Sequence, residues 1–85
     1  MVEIKHVIQD KLGLHARPAG QLVKTLTGFK CKMQVGKGEK LVDAKSILGV
    51  MALAFKQGDT LVMTFDGADE TEAAEAVTVF LNENL

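Results

Sequence analysis

The sequence has few of the residues that build disulfide-linked, membrane-spanning or aromatic-rich proteins. Its 85 residues include one cysteine, one proline, no tryptophan and no tyrosine. The lone Cys31 excludes an internal disulfide, so nothing indicates an oxidising compartment. No stretch approaches the roughly 18 apolar residues of a membrane span, and the first residues alternate apolar and polar side chains where a secretory signal would be continuously apolar. We therefore expect a cytoplasmic protein that does not insert into membranes.

Basic residues are missing from the last third of the chain. All ten Lys and Arg lie within residues 1–58, which carry a net charge of +6, whereas residues 59–85 carry seven acids and a net charge of −7. The overall charge of −1 argues against nucleic acid as a direct partner. The uneven distribution indicates either opposite faces that orient charged partners or two ordinary solvated helix faces, and composition does not separate the two.

A chain of this length supplies one domain, residues 1–85, with a core too small for an enclosed cofactor pocket. We therefore expect no cofactor and no metal site, and we expect any functional site to lie near the surface. Alternating and helical apolar periods predict the order βαββαβα. The strands are expected over residues 2–8, 30–35, from 40 onward and 60–65, and the helices over 16–26, 47–54 and 70–84. This order predicts an α+β fold, a two-layer open-faced sandwich with a four-stranded antiparallel sheet and three helices on one face.

Three residue types that suit phosphoryl chemistry meet at the predicted start of the first helix. The first turn of a helix presents unpaired backbone N–H groups and the positive end of the helix dipole, which favour an anion. The neutral imidazole of His15 is a nucleophile and later a leaving group, and Arg17 offers a delocalised cation with several donors. Pro18 suits a first helical turn because its missing N–H is not needed there. On these residues alone, a capping or solvated surface histidine is the better-supported alternative.

Two sequence motifs favour phosphoryl chemistry at His15 over that alternative. The segment Gly-Leu-His-Ala-Arg-Pro-Ala at residues 13–19 resembles the active-site signature of the HPr family, the histidine phosphocarriers of the bacterial sugar phosphotransferase system. The segment Ala-Lys-Ser-Ile-Leu-Gly-Val-Met at residues 44–51 resembles the family's second signature, which surrounds a regulatory serine, here Ser46. Length, element order and the acidic last helix agree, so the resemblance covers essentially the whole chain.

The resemblance implies a carrier that is not an independent enzyme. It implies that Nδ1 of His15 accepts a phosphoryl group from phosphorylated enzyme I and passes it to the A domains of sugar-specific permeases. Arg17 would neutralise the charge of the phosphoryl group during both transfers. The resemblance also leads us to expect a monomer. The implied partner-docking residues are Ala16, Gly20, Lys24, Ile47, Leu48 and Met51, and for the last three plain core packing is the alternative.

Ser46 has two compatible interpretations. As the N-cap of the second helix it would stabilise that helix by about 1 kcal/mol. As a phosphosite it would gain close to two negative charges and repel enzyme I. The resemblance then implies a serine kinase or phosphatase and a catabolite-control transcription factor as further partners. Two other functions stay open: a regulatory module, a catabolite-control corepressor that acts through phosphorylated Ser46, and an HPr-like carrier of a non-sugar branch.

Three positions depart from the family pattern. Leu12 replaces a residue that is often small and polar, which puts in doubt a side-chain hydrogen bond to the phosphoryl group or the imidazole. Gly20 replaces a more usual Ala or Thr, at about 0.8–1 kcal/mol of helix propensity against Ala. Asp43 replaces a common Asn and adds negative charge near Ser46. Whether the Leu85 carboxylate reaches Arg17 is open at the level of sequence.

Overall fold

The computed structural model describes residues 1–14, 16–37 and 40–85. Four strands pair in antiparallel fashion in the order β1-β4-β2-β3. The predicted α+β open-faced sandwich and its element order are confirmed. The elements are β1 Val2–Val7, α1 Ala16–Leu26, β2 Lys32–Gly36, β3 Leu41–Asp43, α2 Ile47–Ala52, β4 Thr60–Asp66 and α3 Glu70–Asn84.

The observed bounds differ from the predicted ones by one or two residues at all four strands and at α2, and those of α1 and α3 are as predicted. The end of α2 has a physical cause: Leu53 is its C-cap, and Ala54 has a φ of +52°, which cannot continue a right-handed helix. The helix therefore ends at Ala52, two residues before the predicted end. No helix in the described ranges combines the length and the apolar character that crossing a bilayer requires.

One face of the sheet carries the core. Side chains alternate along each strand, so the two central strands bury every second residue completely. The helices α1 and α3 lie over that face and bury their apolar stripes against it, whereas the opposite face carries exposed Glu3, Lys5 and Lys32. The core residues that these four elements contribute are Met33, Val35, Leu61, Met63, Phe65, Ala19, Leu22, Val23, Leu26, Ala73, Ala74, Val77 and Leu81.

The carboxylate of Asp69 ties the start of α3 to the turn before β2. Its Oδ2 accepts the backbone N–H of Lys30 at 2.7 Å, and its Oδ1 accepts that of Cys31 at 2.9 Å. The hydrogen bond from Lys30 is the main reason that the pKa of Asp69 lies below its usual value. Burial, followed by the neighbouring Asp69, raises the pKa of the Cys31 thiol. Although Asp69 is the N-cap residue of α3, its side chain makes no cap hydrogen bond.

The connection from α2 to β4, residues 54–59, lies against the β1–α1 loop, residues 8–14. We call residues 54–59 the supporting segment. Ile8 donates its backbone N–H to the Asp59 carbonyl at 2.9 Å and accepts the N–H of Gly58 at 2.8 Å. These bonds join two loops that are about fifty residues apart in the sequence, and the β1–α1 loop leads directly into the predicted site.

Candidate functional site

The predicted phosphoryl acceptor, His15, lies outside the described residues, as does the side chain of Ala16. The site is therefore defined by the backbone on either side of residue 15. Leu14 precedes it and is buried, and α1 begins immediately after it at Ala16. In the first turn of α1, Arg17 is exposed and Pro18 is buried, as a proline can be where its missing N–H is not needed. The predicted helix start is confirmed.

The starts of the two long helices differ in charge. The first turn of α1 contains no acidic residue, whereas α3 opens with Glu70 and Glu72. Acidic side chains near a helix N-terminus offset the positive end of its dipole. At α3 the chain supplies these charges itself. The first turn of α1 brings no such charge, so the positive end of its dipole and the exposed guanidinium of Arg17 can act on an anion from outside.

Arg17 lines an open cleft of about 190 Å³ at this end of the molecule. The other lining residues are Asp10, Pro18, Gln21 and Asn84. Larger surface cavities of up to about 580 Å³ occur elsewhere, and of the predicted site residues that the structure describes, none lines them. Clefts that enclose small organic ligands usually measure about 300–1,000 Å³. At about 190 Å³ the cleft beside Arg17 is smaller than this range, and its lining carries both the guanidinium and the carboxylate of Asp10.

The loop before the site is held by hydrogen bonds to Asp10 within the loop and to Phe55 in the supporting segment. Asp10 accepts the N–H of Leu12 on its Oδ1 at 2.8 Å and the N–H of Gly13 on its carbonyl at 2.9 Å. Gly13 has a φ of +67°, and Leu14 donates its N–H to the Phe55 carbonyl at 3.2 Å. The Leu12 side chain is 74% exposed and has no polar atom, so position 12 contributes only its backbone to the loop.

The end of α3 also contacts this loop. The main-chain oxygen of Leu85 accepts the N–H groups of Gln9 at 2.5 Å and Asp10 at 3.2 Å. The Leu85 side chain is buried in the core. Sequence left open a contact between Leu85 and Arg17. In the described ranges, the hydrogen-bond partners of this oxygen are the two loop N–H groups.

Ser46 caps α2. Its Oγ accepts the backbone N–H of Gly49 at 3.1 Å, which confirms the predicted N-cap, and the residue is exposed. Asp43 belongs to the same turn: its carbonyl accepts the N–H of Ser46 at 3.2 Å, and its carboxylate accepts the N–H of Lys45 at 2.9 Å. The negative charge of Asp43 is therefore close to the serine in the folded chain.

The apolar residues at the start of α2 face solvent. Ile47, Leu48 and Met51 are 43%, 83% and 39% exposed, whereas Val50 on the same helix is fully buried. These three side chains are not core residues, so the core-packing alternative for them is wrong. Helix α2 packs against α1, where Lys24 is exposed and Gly20 partly so.

The second histidine occupies a different environment. His6 lies on β1 opposite Leu61 and is half-buried, and its Nε2 is buried without a hydrogen-bond partner among the described residues. Within residues 1–14, 16–37 and 40–85, no three His, Cys, Asp or Glu side chains form a group that could hold a metal ion. Neither observation offers a second site for phosphoryl chemistry.

Sequence reasoning missed the supporting segment and the residue that holds it, Lys37. The pattern Gly36-Lys37-Gly38 predicts a hairpin turn and nothing about a distant partner. Lys37 instead reaches across to Ala54 and Asp59. No motif or periodicity links Lys37 to residues 54–59, so no sequence signal could have found this contact.

Comparison with known proteins gives a consistent result. The family model of the PTS HPr component phosphorylation site matches residues 2–83. The chain is 49% identical over 74 residues to the phosphocarrier protein HPr of Lysinibacillus sphaericus, covering 87% of this chain and 84% of that protein. It superposes on HPr-C-His from Thermoanaerobacter tengcongensis with a TM-score of 0.92 at 40% identity, covering 98% and 93% of the two chains. It also matches Crh, a catabolite repression protein of Bacillus subtilis described as a swapped dimer, with a TM-score of 0.77, 36% identity and coverage of 100% and 98%.

Proposed function

The chain belongs to the HPr family of the phosphotransferase system, and from that premise we propose that His15 accepts a phosphoryl group from phosphorylated enzyme I and passes it to the A domains of sugar-specific permeases. The observation that carries the proposal is the acid-free first turn of α1, which begins one residue after His15 and exposes Arg17. In each transfer the bond from phosphorus to the donor breaks as a bond to the acceptor forms. The chain regains its starting state after two transfers, so it acts as a carrier and not as an independent enzyme.

The energetics of this site suit reversible loading. The helix dipole contributes about 0.3–1 kcal/mol to holding an anion, and a charge-assisted hydrogen bond from Arg17 about 1.5–3 kcal/mol. These contributions stabilise a phosphoryl group without trapping it. A carrier needs this balance because it must release its cargo to the next protein. No cofactor enters the proposed transfer.

We further propose a docking surface formed by α1 and α2 beside the acceptor. The exposed apolar side chains of α2 support it, because an exposed apolar cluster on a small domain commonly marks a protein-binding site. The excess of basic residues in this part of the chain favours partners with acidic surfaces. The residues assigned to this surface are Ala16, Gly20, Lys24, Ile47, Leu48 and Met51.

The test is intact-mass analysis after incubation with enzyme I and phosphoenolpyruvate. We expect one phosphoryl group per chain, labile in acid and stable in base, as an N-linked phosphoryl group is. His15→Ala should abolish labelling, and His6→Ala, which removes the other histidine, should not. Labelling of His15→Ala at the wild-type rate would exclude the proposed acceptor.

A second candidate function acts through Ser46. Its support is the exposed hydroxyl at the start of α2, next to the proposed docking surface, and the similarity to a catabolite repression protein. Phosphorylation would add close to two negative charges there and repel an acidic partner, which would slow loading of His15. As a corepressor, the chain would bind a catabolite-control transcription factor only after a serine kinase has acted.

One pair of variants distinguishes the two candidate functions. His15→Ala should retain kinase-dependent binding to the transcription factor, and Ser46→Ala should lose it while still accepting phosphoryl from enzyme I. Asp43→Asn should raise the rate of serine phosphorylation, because it removes a negative charge from the same turn. A transfer assay with a panel of acceptor domains distinguishes sugar permeases from a non-sugar branch, which would use the same chemistry.

We also propose a cytoplasmic monomer. The family's partners act in the cytoplasm, and the described residues of one chain form a buried hydrophobic core between them. Light scattering during gel filtration at several concentrations should give the monomer mass. A dimer mass would instead favour the exchange described for Crh of Bacillus subtilis.

A further inference from the structure

The ammonium group of Lys37, at the end of β2, contacts the supporting segment at three points. It donates a hydrogen bond to the Ala54 carbonyl at 2.8 Å and forms an ion pair with Asp59 at 2.9 Å. It also lies 5.4 Å from the centre of the Phe55 ring. One side chain thus contacts the two ends of residues 54–59 and the aromatic ring between them.

The supporting segment has a conformation that needs such contacts. Ala54 adopts a φ of +52°, in the left-handed region that residues other than glycine rarely occupy. Asp59 holds the other end, where its carboxylate also accepts the N–H of Lys56 at 2.8 Å. The hydrogen bond from Lys37 is the main reason that the pKa of Asp59 lies below its usual value, so this carboxylate is charged at neutral pH.

The supporting segment in turn positions the backbone before the acceptor. The Phe55 carbonyl accepts the N–H of Leu14, and Gly13 packs so closely that a Cβ there would lie 2.2 Å from the same oxygen. Leu14 is the residue immediately before His15 in the chain. One hydrogen bond and one peptide unit therefore separate Phe55 from residue 15.

We propose that Lys37 is a positioning residue for phosphoryl transfer: it holds residues 54–59 against Gly13 and Leu14 and so fixes where His15 presents its imidazole at the start of α1. This inference rests on the proposed function of His15. Lys37 does not touch the phosphoryl group in this proposal. Its effect is on the geometry of the acceptor, where a misplacement of about 1 Å can cost up to about 100-fold in rate.

The proposal predicts a specific kinetic pattern. Removing the Lys37 cation should lower the rate of transfer at saturating enzyme I and leave the half-saturating concentration of enzyme I nearly unchanged. A cation that only docks enzyme I would give the reverse pattern, a raised half-saturating concentration with an unchanged maximal rate. A cation that only stabilises the fold would change neither at temperatures where the protein is fully folded.

The experiment measures phosphoryl transfer from phosphorylated enzyme I to the full chain by rapid quench. The test variant is Lys37→Met, and the matched control is Lys32→Met, which removes an exposed lysine from the first position of β2, whereas Lys37 directly follows that strand. We expect about a tenfold lower maximal rate in Lys37→Met, no change in Lys32→Met, and recovery to within about threefold in Lys37→Arg, which keeps a cation for Asp59 and Phe55. Thermal unfolding of each variant sets the assay temperature.

A wild-type maximal rate in Lys37→Met would overturn the proposal, as would an altered half-saturating concentration alone or a failure of Lys37→Arg to restore the rate. If Lys37→Met does not fold, the transfer rate of Asp59→Asn is measured instead, because this change weakens the ion pair and leaves the hydrogen bond from Lys37 to Ala54. An unchanged maximal rate in Asp59→Asn would also overturn the proposal. These outcomes concern Lys37 alone. Failure of the proposed function would appear earlier, as a wild-type chain that accepts no phosphoryl group.

Discussion

The backbone of Gly13 passes so close to Phe55 that a Cβ at position 13 would lie 2.2 Å from the Phe55 carbonyl oxygen. The same oxygen accepts the N–H of Leu14, so the two segments cannot separate without losing a hydrogen bond. Gly13 also has a φ of +67°. Steric space and backbone conformation therefore both require glycine immediately before the Leu14–His15 step.

Gly13→Ala should consequently destabilise the protein by at least about 2 kcal/mol, because a left-handed alanine alone costs about 1–2 kcal/mol and the clash with Phe55 adds to it. Urea unfolding measures the loss. The matched control is Gly20→Ala, where the added Cβ has no neighbour within 4 Å and a helix propensity gain of about 0.8–1 kcal/mol is expected. Equal stability of Gly13→Ala and the wild type would contradict the described approach to Phe55.

Ala54→Gly should stabilise the protein by about 1 kcal/mol. Ala54 follows the C-cap of α2 with a φ of +52°, a position where glycine avoids the cost of a left-handed side chain. Ala52→Gly, two residues earlier within the helix, should have the opposite sign. Chemical denaturation of the two variants measures both changes, and a destabilised Ala54→Gly would contradict a left-handed backbone at position 54.

Ser46→Ala should lower the free energy of unfolding by about 1 kcal/mol, because the N–H of Gly49 loses its acceptor. Ser46→Asp should keep most of that stability, since aspartate also caps helices, while slowing transfer to His15 through its charge. Unfolding and transfer are measured on both variants. A Ser46→Asp protein with wild-type transfer would count against regulation by negative charge at this position.

The Asp69 carboxylate should make stability depend on pH in acid. Its pKa is lower in the folded chain than in the unfolded chain, so its contribution is fully present above the ordinary aspartate value, about 3.9, and is lost as the pH falls through the lower folded value. The urea midpoint of Asp69→Asn should therefore lie below that of the wild type at neutral pH, and the gap should close in acid.

Glu75→Gln is the control for that measurement. Glu75 is an exposed acid of α3, and its side chain makes no hydrogen bond or ion pair to another described residue. The difference in urea midpoint between Glu75→Gln and the wild type should be small. It should not show the dependence on acid pH that is expected for Asp69→Asn. A pH-independent gap for Asp69→Asn would show that the hydrogen bonds to Lys30 and Cys31 do not depend on the charge.

Local patterns predicted the elements well because the forces behind them act over a few residues. The alternation in β1, the Ser46 cap and the first turn at Pro18 each follow from neighbours within four positions. The end of α2 was placed two residues late, because apolar residues continue through Ala54 and only the backbone turn at that residue ends the helix. The sequence also left the exposure of Leu48 open, because a short helix that is apolar on all sides gives no pattern from which its buried face can be identified.

The sequence by itself determined that a histidine precedes and an arginine follows the start of a helix whose first turn contains no acid, and that one domain of this architecture carries them. Only the tertiary structure decided what supports that helix start. The contact between Lys37 and residues 54–59, and that between Phe55 and Gly13, join segments far apart along the chain. Such contacts arise when a core closes, because packing is set by the shape of distant surfaces and leaves no periodic trace in the sequence.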